Sequence, residues 1–305
     1  NTHGYDKHVN EDLQSTLDQL FLTNASLAPG RMKGDEEKYD FSLNVKYKGF
    51  TLDGRYVDRE KDMPVGWNLA LNEKSDSFMK DYYLNLSYEK TLWEKLDLFG
   101  KVYRTHNHTR FDAQQFPPGA AQLTPWGPVI MRNGVTERLS YKNNRTGFEI
   151  QATYRMNESN TVLAGITYEK MKQYDVKRQA NYFFTPFPIV IVPLLSIRDL
   201  THIQNHNRSA KRNLKAFFIE DIWDITDNVR LTVGLRYDDF SDFGSEVSPR
   251  VGLVWEFIEG YDLKLLYANA FRAPSFAERY DSRYGNRDLD PEEVDTYEVS
   301  IGAEL

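Results

Sequence analysis

Apolar and polar residues alternate along this chain in a series of short runs, the signature of strands with one apolar and one polar face. Tyr39, Phe41, Leu43, Val45 and Tyr47 are apolar, with Asp40, Ser42, Asn44 and Lys46 between them. The pattern returns at Tyr82–Tyr88, Phe148–Tyr154, Val162–Tyr168, Val229–Tyr237, Val251–Phe257, Leu263–Tyr267 and Tyr297–Ala303. Two further runs, Phe50–Arg59 and Leu96–Tyr103, fit less cleanly. Asn213–Asp224 is irregular, because Phe217 and Phe218 would fall on opposite faces. The pattern predicts about eleven strands, each of roughly the ten residues that a tilted strand needs to cross a bilayer. Many apolar faces end in Tyr or Trp, as at the aromatic girdle of a lipid boundary. The opposite face is charged and must line something wet. Soluble sandwiches alternate as well, but their strands are usually shorter and need no aromatic ends. The expected fold is all-β: an antiparallel transmembrane β-barrel of the outer-membrane type.

The connections carry a second rhythm. Lys48-Gly49, Thr91–Lys95, Met156–Asn160, Thr226–Asn228 and Ile258–Tyr261 read as tight turns. Between them lie longer links at 60–77, 105–141, 170–212, 239–248 and 272–293, with 1–37 ahead of the first strand. All six are expected to be extracellular loops, since barrels of this type keep short turns on the periplasmic side. A barrel strand left at an edge in lipid has unsatisfied backbone groups, and bacterial single-chain barrels have even strand counts. An odd run is therefore expected to be incomplete, a fragment of a larger wall.

Composition narrows the choice. The chain has 305 residues, is 40% hydrophobic and carries a formal net charge of -7. Its longest apolar stretch, Phe183–Ile197, is interrupted by Pro186, Pro188 and Pro193 and is too short for a spanning helix. No signal peptide is visible from Asn1 onward, so an exported protein would be missing its beginning. The absence of cysteine excludes a disulfide scaffold and a thiolate metal site. The mild acidity and dispersed basic residues give no nucleic-acid footprint. No Ser/His/Asp or acid/His arrangement lies on facing strands, so neither enzyme activity nor a catalytic residue is expected. Leu13, Leu17, Leu20 and Phe21 have helical spacing and predict a short surface helix.

Three C-terminal segments are more specific: LRYDDFSDFGSEVSPRVGLVW (Leu235–Trp255), LLYANAFRAPSFAERY (Leu265–Tyr280) and GNRDLDPEEVDTYEVS (Gly285–Ser300). They resemble the TonB-dependent outer-membrane receptors, as does LDQLFLTNASLAPG (Leu17–Gly30), less specifically. In that family a Phe-Arg-Ala-Pro-like box leads into an extracellular loop that closes with an Asn-Pro-Asn-Leu-like box and Pro-Glu. Here the boxes read Phe271-Arg272-Ala273-Pro274 and Asn286-Arg287-Asp288-Leu289, then Pro291-Glu292, departing from the pattern at Arg287 and Asp288. The resemblance implies a barrel of about twenty-two strands, half of it present here, closed by a plug domain that this chain lacks. It further implies an outer-membrane location and import of a ferric siderophore, haem or cobalamin, driven by the inner-membrane TonB complex. Of these a ferric siderophore is the expected ligand; the alternative is a plugless porin-type channel. No cofactor of the protein's own is implied. Lys46, Glu89, Glu149, Arg236 and Glu298 would then face the plug or luminal water.

Candidate ligand contacts come from the long links. His106 and His108, with Arg110 beside them, could grip a metal or haem, or could be solvated loop histidines. His202 and His206 have helical spacing without a helical context, and no protein metal site is expected. Arg279 and Arg283 suit anionic chelates, and Tyr280 and Tyr284 suit planar aromatic ones. Phe271, Arg272, Pro274, Asn286 and Pro291 are expected to shape the loop rather than bind. Haem receptors of the family carry a histidine between the two boxes, and none lies between Ser275 and Gly285 here. The apolar run Pro188–Leu195 could be an exposed contact patch or a hairpin packed against neighbouring loops. Outer-membrane lipid completes the expected partners.

Overall fold

A computed structural model describes residues 6–66, 69–185, 187 and 190–303. In chain order, β1 (Asp6–Val9), α1 (Leu13–Phe21) and β2 (Gly30–Lys33) precede the wall. The wall begins with β3 (Glu36–Tyr47), β4 (Phe50–Asp62), β5 (Asp76–Leu92) and β6 (Leu96–Phe116). A hairpin of β7 (Ala120–Thr124) and β8 (Gly127–Met131) separates β6 from β9 (Val135–Arg155) and β10 (Asn160–Phe184). Then come β11 (Ile191–Asp199), β12 (Ala210–Thr226), β13 (Val229–Phe240), β14 (Gly244–Ile258) and β15 (Tyr261–Arg272). The last elements are α2 (Phe276–Tyr280) and β16 (Glu292–Ala303).

Eleven strands pair in one antiparallel path, β3-β4-β5-β6-β9-β10-β12-β13-β14-β15-β16, as the alternation predicts. Among the described residues β3 and β16 are the two edges and do not pair with each other, so the sheet is an unclosed wall. The registers align the apolar positions into continuous rows, such as Val45-Leu52-Leu86-Val102-Phe148-Tyr168 across six strands. These side chains point away from the luminal face; Val102 is 54% exposed and Val45 48%. A row of large apolar groups left in water would be strongly unfavourable, at about 25 cal/mol per Å². Facing acyl chains removes that penalty. The row Lys101-Glu149-Thr167-Ala216-Asp238, polar except at Ala216, runs along the opposite, luminal face.

One end of the wall carries only tight turns. Lys48 and Gly49 adopt left-handed φ values of 46° and 85°, as a two-residue hairpin turn requires. A Cβ on Gly49 would lie 2.5 Å from the Glu89 carbonyl oxygen, so glycine is needed there on two counts.

The other end corrects the predicted loops. Most of 105–141 and much of 170–212 is strand: β6 and β9 have 21 residues each and β10 has 25. At about 3.3 Å per residue they reach roughly 70–80 Å, far beyond the hydrocarbon core of about 30 Å even when tilted. The link at 239–248 shrinks to 241–243, because β13 runs to Phe240 and β14 starts at Gly244. The physical reason is common to all three. Above the membrane the strands no longer separate a lipid face from a wet one, so the hydrogen-bonded ladder continues while the alternation that reveals it disappears.

The largest buried apolar cluster sits in this crown, not in the wall. Ala25, Met131, Val135, Ala180, Tyr182 and Leu200 pack together, drawing on the N-terminal segment, the β7–β8 hairpin and the upper parts of β9 and β10. The helix expected near Leu17 is present as α1, capped by reciprocal bonds between Asp12 and Ser15. It buries Gln14 and Asp18, however, and leaves Leu20 exposed. Asp18 accepts from the backbone N–H groups of Ala25 and Ser26 at 2.8 and 2.7 Å and so pins the following segment. Of the apolar run, Pro188 and Ile189 lie outside the described residues, as does Pro186. Ile191–Asp199 forms β11 beside the top of β10, the hairpin alternative, although Leu195 stays exposed.

Candidate functional site: the mouth of the wall

The segment between β15 and β16 folds over the luminal side of the wall and is held by three sets of contacts. At its root, the Arg272 guanidinium bridges Glu292 (2.6 and 2.9 Å) and Glu278 (2.9 and 3.1 Å), joining both ends of the loop. Pro274 is fully buried, and Phe271 meets Phe240 edge-on at 5.9 Å. Ser275 caps α2: its hydroxyl accepts from the Glu278 N–H at 3.2 Å, and the Glu278 carboxylate accepts from the Ser275 N–H at 2.6 Å.

The second set is a latch built on Asp242, in the short β13–β14 turn. Arg212 of β12 donates to its carboxylate from Nε and Nη2 at 2.8–3.0 Å. Tyr280 donates its hydroxyl to the same carboxylate at 3.1 Å. Arg279 donates to the Asp242 and Leu289 carbonyl oxygens at 2.7 and 2.6 Å. Phe240 and Phe243 stack at 4.4 Å beneath, and the Arg212 guanidinium lies 4.9 Å from the Phe243 ring. Charge-assisted bonds over an aromatic floor make this the most tightly tied part of the mouth. In the third set, the Ser282 N–H donates to the His206 carbonyl at 2.9 Å, and the His206 ring meets the Ser282 hydroxyl at 3.2 Å. Burial, aided by the Arg283 charge, keeps the His206 imidazole below its ordinary pKa, so it is neutral at pH 7.

Under this loop lies a cavity of ≈ 720 Å³. Arg55, Asp81, Tyr83, Asn107, Asn143 and Gln173 supply its wall, and Ser275, Phe276 and Ala277 close it from above. Deeper on the luminal face, charges come in pairs. Glu169 binds Arg145 at 2.5–2.7 Å and also takes the Tyr103 hydroxyl; Lys101 meets Glu149 at 3.1 Å. Arg236 binds Asp238 at 2.7 Å, and Arg250 binds Glu220. Paired in this way, the luminal wall offers hydrogen-bonding groups more than net charge.

The sequence-derived candidates divide sharply. His106, His108 and Arg110 are not in a loop; they belong to β6 and share the outward face with Val102. His106 stacks on Tyr82 at 5.0 Å and bonds Asn144, while Arg110 lies 3.7 Å above the Phe78 ring. Their stretch looked like a loop because it is polar at every position, which is what a strand wet on both faces requires. Arg279 is only 6% exposed and turns both terminal nitrogens into the latch, as Tyr280 turns its hydroxyl. Arg283 and Tyr284 remain available; Tyr284 is 81% exposed, with the Arg283 guanidinium 5.4 Å from its ring. Asn286 shapes the return by accepting from the Asp288 N–H at 3.0 Å, and Pro291 directly precedes β16. The cross-strand latch partners Arg212 and Asp242 carry no signal in the sequence beyond the cluster of phenylalanines around them. Among the described residues no group of three or more metal-ligating side chains comes together.

Glu278 gives the loop a pH dependence. Its bonds to Arg272, then to Ser275, hold its pKa at about 2, below the ordinary 4.5. A depressed carboxylate stabilises the folded loop above its unfolded pKa, and that contribution is lost as pH falls from 4.5 through about 2. Pepsin cleavage around Phe276 and Tyr280 is therefore expected to rise over that window. Glu278→Gln should be cut more readily at pH 4.5 and show a flatter pH response.

The geometry defines a class first: an open antiparallel wall with a lipid-facing apolar belt, a paired luminal face and an ordered crown is an outer-membrane β-barrel wall. The chain belongs to the TonB-dependent receptor family, for residues 15–303 match the family described as TonB dependent receptor-like, beta-barrel. It is similar to the vitamin B12 transporter BtuB of Vibrio cholerae, with 39% identity over 71 residues, 23% of this chain and 12% of that protein. It is also similar to the iron-regulated outer membrane virulence protein of Vibrio cholerae, with 34% identity over 116 residues, 35% of this chain and 18% of that one. Among solved structures, a ferric enterobactin receptor mutant from Pseudomonas aeruginosa superposes with a TM-score of 0.59 at 15% identity, covering 98% of this chain and 44% of that one. The copper transporter OprC gives 0.61 at 12% identity, covering 91% and 44%. At such identities the structures show the fold alone. The matches span under half the length of these proteins. The chain is a wall segment of the outer membrane, from a family of receptors and transporters rather than of porins.

Proposed function

We propose that this chain forms part of a receptor that imports an anionic ferric chelate of the siderophore type, energised through TonB. The observation that carries this reading is the Arg283–Tyr284 pair, exposed in a loop otherwise locked against the wall. A guanidinium beside an open phenol ring offers charge to an anionic chelate and a flat apolar surface to its aromatic rings. The cavity beneath the loop, with amide and hydroxyl groups on its walls and more cationic than acidic residues in its lining, supplies hydrogen-bond partners to an anionic ligand. A ligand that brings its own metal coordination needs no cluster of histidines or carboxylates. The names of the similar structures, several of them siderophore receptors, agree with this class. A corrinoid is the second reading, favoured by the 71-residue match to BtuB.

The test is growth of a receptor-deficient strain carrying the complete gene, supplied in turn with ferric siderophores, haem and cobalamin. Rescue by a ferric siderophore, weakened when Arg283 and Tyr284 are both changed to Ser, is the expected result. Rescue by cobalamin alone would replace the reading with the second, and no rescue by any of the three would remove both.

A further inference from the structure

The outward face of the wall carries a group of cations that no carboxylate among the described residues neutralises. At and above the end of the apolar row through Phe148 and Tyr168, on the side of the long links, strand registers bring five exposed basic residues together. Arg104 of β6 and Lys170 of β10 flank Thr146 at one level, and Lys172 faces Lys211 of β12 at the next. Lys215 sits beside Tyr168, with Asp239 as its opposite neighbour on β13. Other outward cations have carboxylates: Lys80 bonds Asp58 at 2.8 Å, and Lys142 and Lys177 share Asp175 at 2.7 and 2.8 Å. For the five, no carboxylate lies within ion-pair distance among the described residues, Asp239 included. Two of them lie by rings instead: Lys170 is 5.8 Å from Tyr168, and Lys172 is 4.8 Å from Tyr174.

Like charges placed directly opposite across a ladder, as Lys172 and Lys211 are, destabilise the pair unless an anion joins them. That anion must arrive at one height, where the acyl-facing surface gives way to polar groups. A phosphate carried by an acyl lipid is delivered at that height by its own tails, which pack on Val102, Phe148 and Phe217 below. A freely dissolved anion has no such restriction. We infer that this patch on β6, β10 and β12 is a binding site for the phosphorylated headgroup of an outer-leaflet lipid. It rests on the outer-membrane placement of the wall and is independent of which nutrient the receptor imports.

The experiment uses the complete detergent-solubilised protein and native mass spectrometry with diphosphorylated lipid A, phosphatidylcholine or inorganic phosphate as probe. Lipid A is expected to bind in preference to phosphatidylcholine. The triple variant Lys170→Gln, Lys172→Gln, Lys211→Gln should weaken it by about a hundredfold, as estimated from the contribution of each lysine near an anionic lipid surface. The corresponding triple change to Arg should keep the binding, and Lys80→Gln, whose cation is already paired, should leave it unaltered. Heat-modified gel mobility verifies that each variant is folded, and the Arg variant keeps the test decisive if the Gln variant is not. Equal binding of lipid A and phosphatidylcholine, or full binding by a folded Gln variant, would overturn the inference. So would displacement of lipid A by millimolar inorganic phosphate, which would make the patch a free-anion site.

Discussion

Replacing Asp242 with alanine is expected to detach the loop between β15 and β16 from the mouth while leaving the wall intact. The Asp242 carboxylate, 7% exposed, is the only acid that meets Arg212, and it also receives the Tyr280 hydroxyl among the described residues. Its loss would strand the buried Arg212 charge and deprive Arg279 of its neighbouring anion. Breaking a buried pair from one side costs about 3–5 kcal/mol, mostly for the charge left behind. The loop has little else to resist that penalty. Its helix is five residues long, and its root clamp at Arg272 is exposed and so weak. Trypsin should therefore cut at Arg279, Arg283 and Arg287 in the variant and spare them in the parent, with unchanged gel mobility of the barrel. If those sites stay protected, the latch does not hold the loop. Ligand uptake should fall with the same variant, because an unlatched loop no longer fixes Arg283 and Tyr284 over the cavity.

The contrast between wall and crown explains what could be read from the residues. Each wall strand solves the same problem, lipid on one side and water on the other, so each repeats a period of two. That repetition gives the strand count and the turn positions, and even the awkward β12 is placed. Phe217 lies outward toward lipid, and Phe218 inward beside Gly165, whose Cβ would have stood 2.5 Å from its ring. In the crown no such boundary exists. Thr105–Phe116 and Met171–Phe184 are strands by their backbone ladders, but their side chains no longer divide between a lipid face and a wet one: some pair with polar neighbours, as Asp112 with Arg138, and others, as Ala180 and Tyr182, pack into the crown's core. Their sequences therefore look like loops. The latch is hidden for a different reason: Arg212, Asp242 and Arg279 are 30 and 37 residues apart and meet only because three hairpins lie side by side. Charge at those positions is visible in sequence; its pairing is not. An arginine near an aromatic residue suits ligand binding, yet Arg279 puts the same donors on the backbone carbonyl oxygens of Asp242 and Leu289.

The crown's own core has a comparable single point of failure, and Glu137→Ala is expected to be the more damaging substitution there. Glu137 accepts from Arg178 Nε and, at 2.9 Å, from the Tyr182 hydroxyl, in a site where Arg178 is only 1% exposed. The Arg178 guanidinium lies 5.0 Å from the Tyr182 ring, which itself belongs to the main apolar cluster with Met131, Val135 and Ala180. Alanine would leave the arginine with no counter-charge in the least hydrated part of the crown, again at about 3–5 kcal/mol. The burial of Tyr182 would also lose the bond that satisfies its hydroxyl, adding about 1–3 kcal/mol. Both terms fall on the contacts that hold the β7–β8 hairpin against β9 and β10. Hydrogen exchange should therefore quicken across the 116–137 and 178–184 segments while the wall strands below keep their protection. The decisive comparison is the double variant Glu137→Leu, Arg178→Met. Buried ion pairs replaced on both sides by apolar groups of similar volume are often neutral or more stable, so the double variant is expected to regain most of the lost protection. Should it prove as labile as the single one, the damage would come from lost packing around Glu137, not from the unpaired charge.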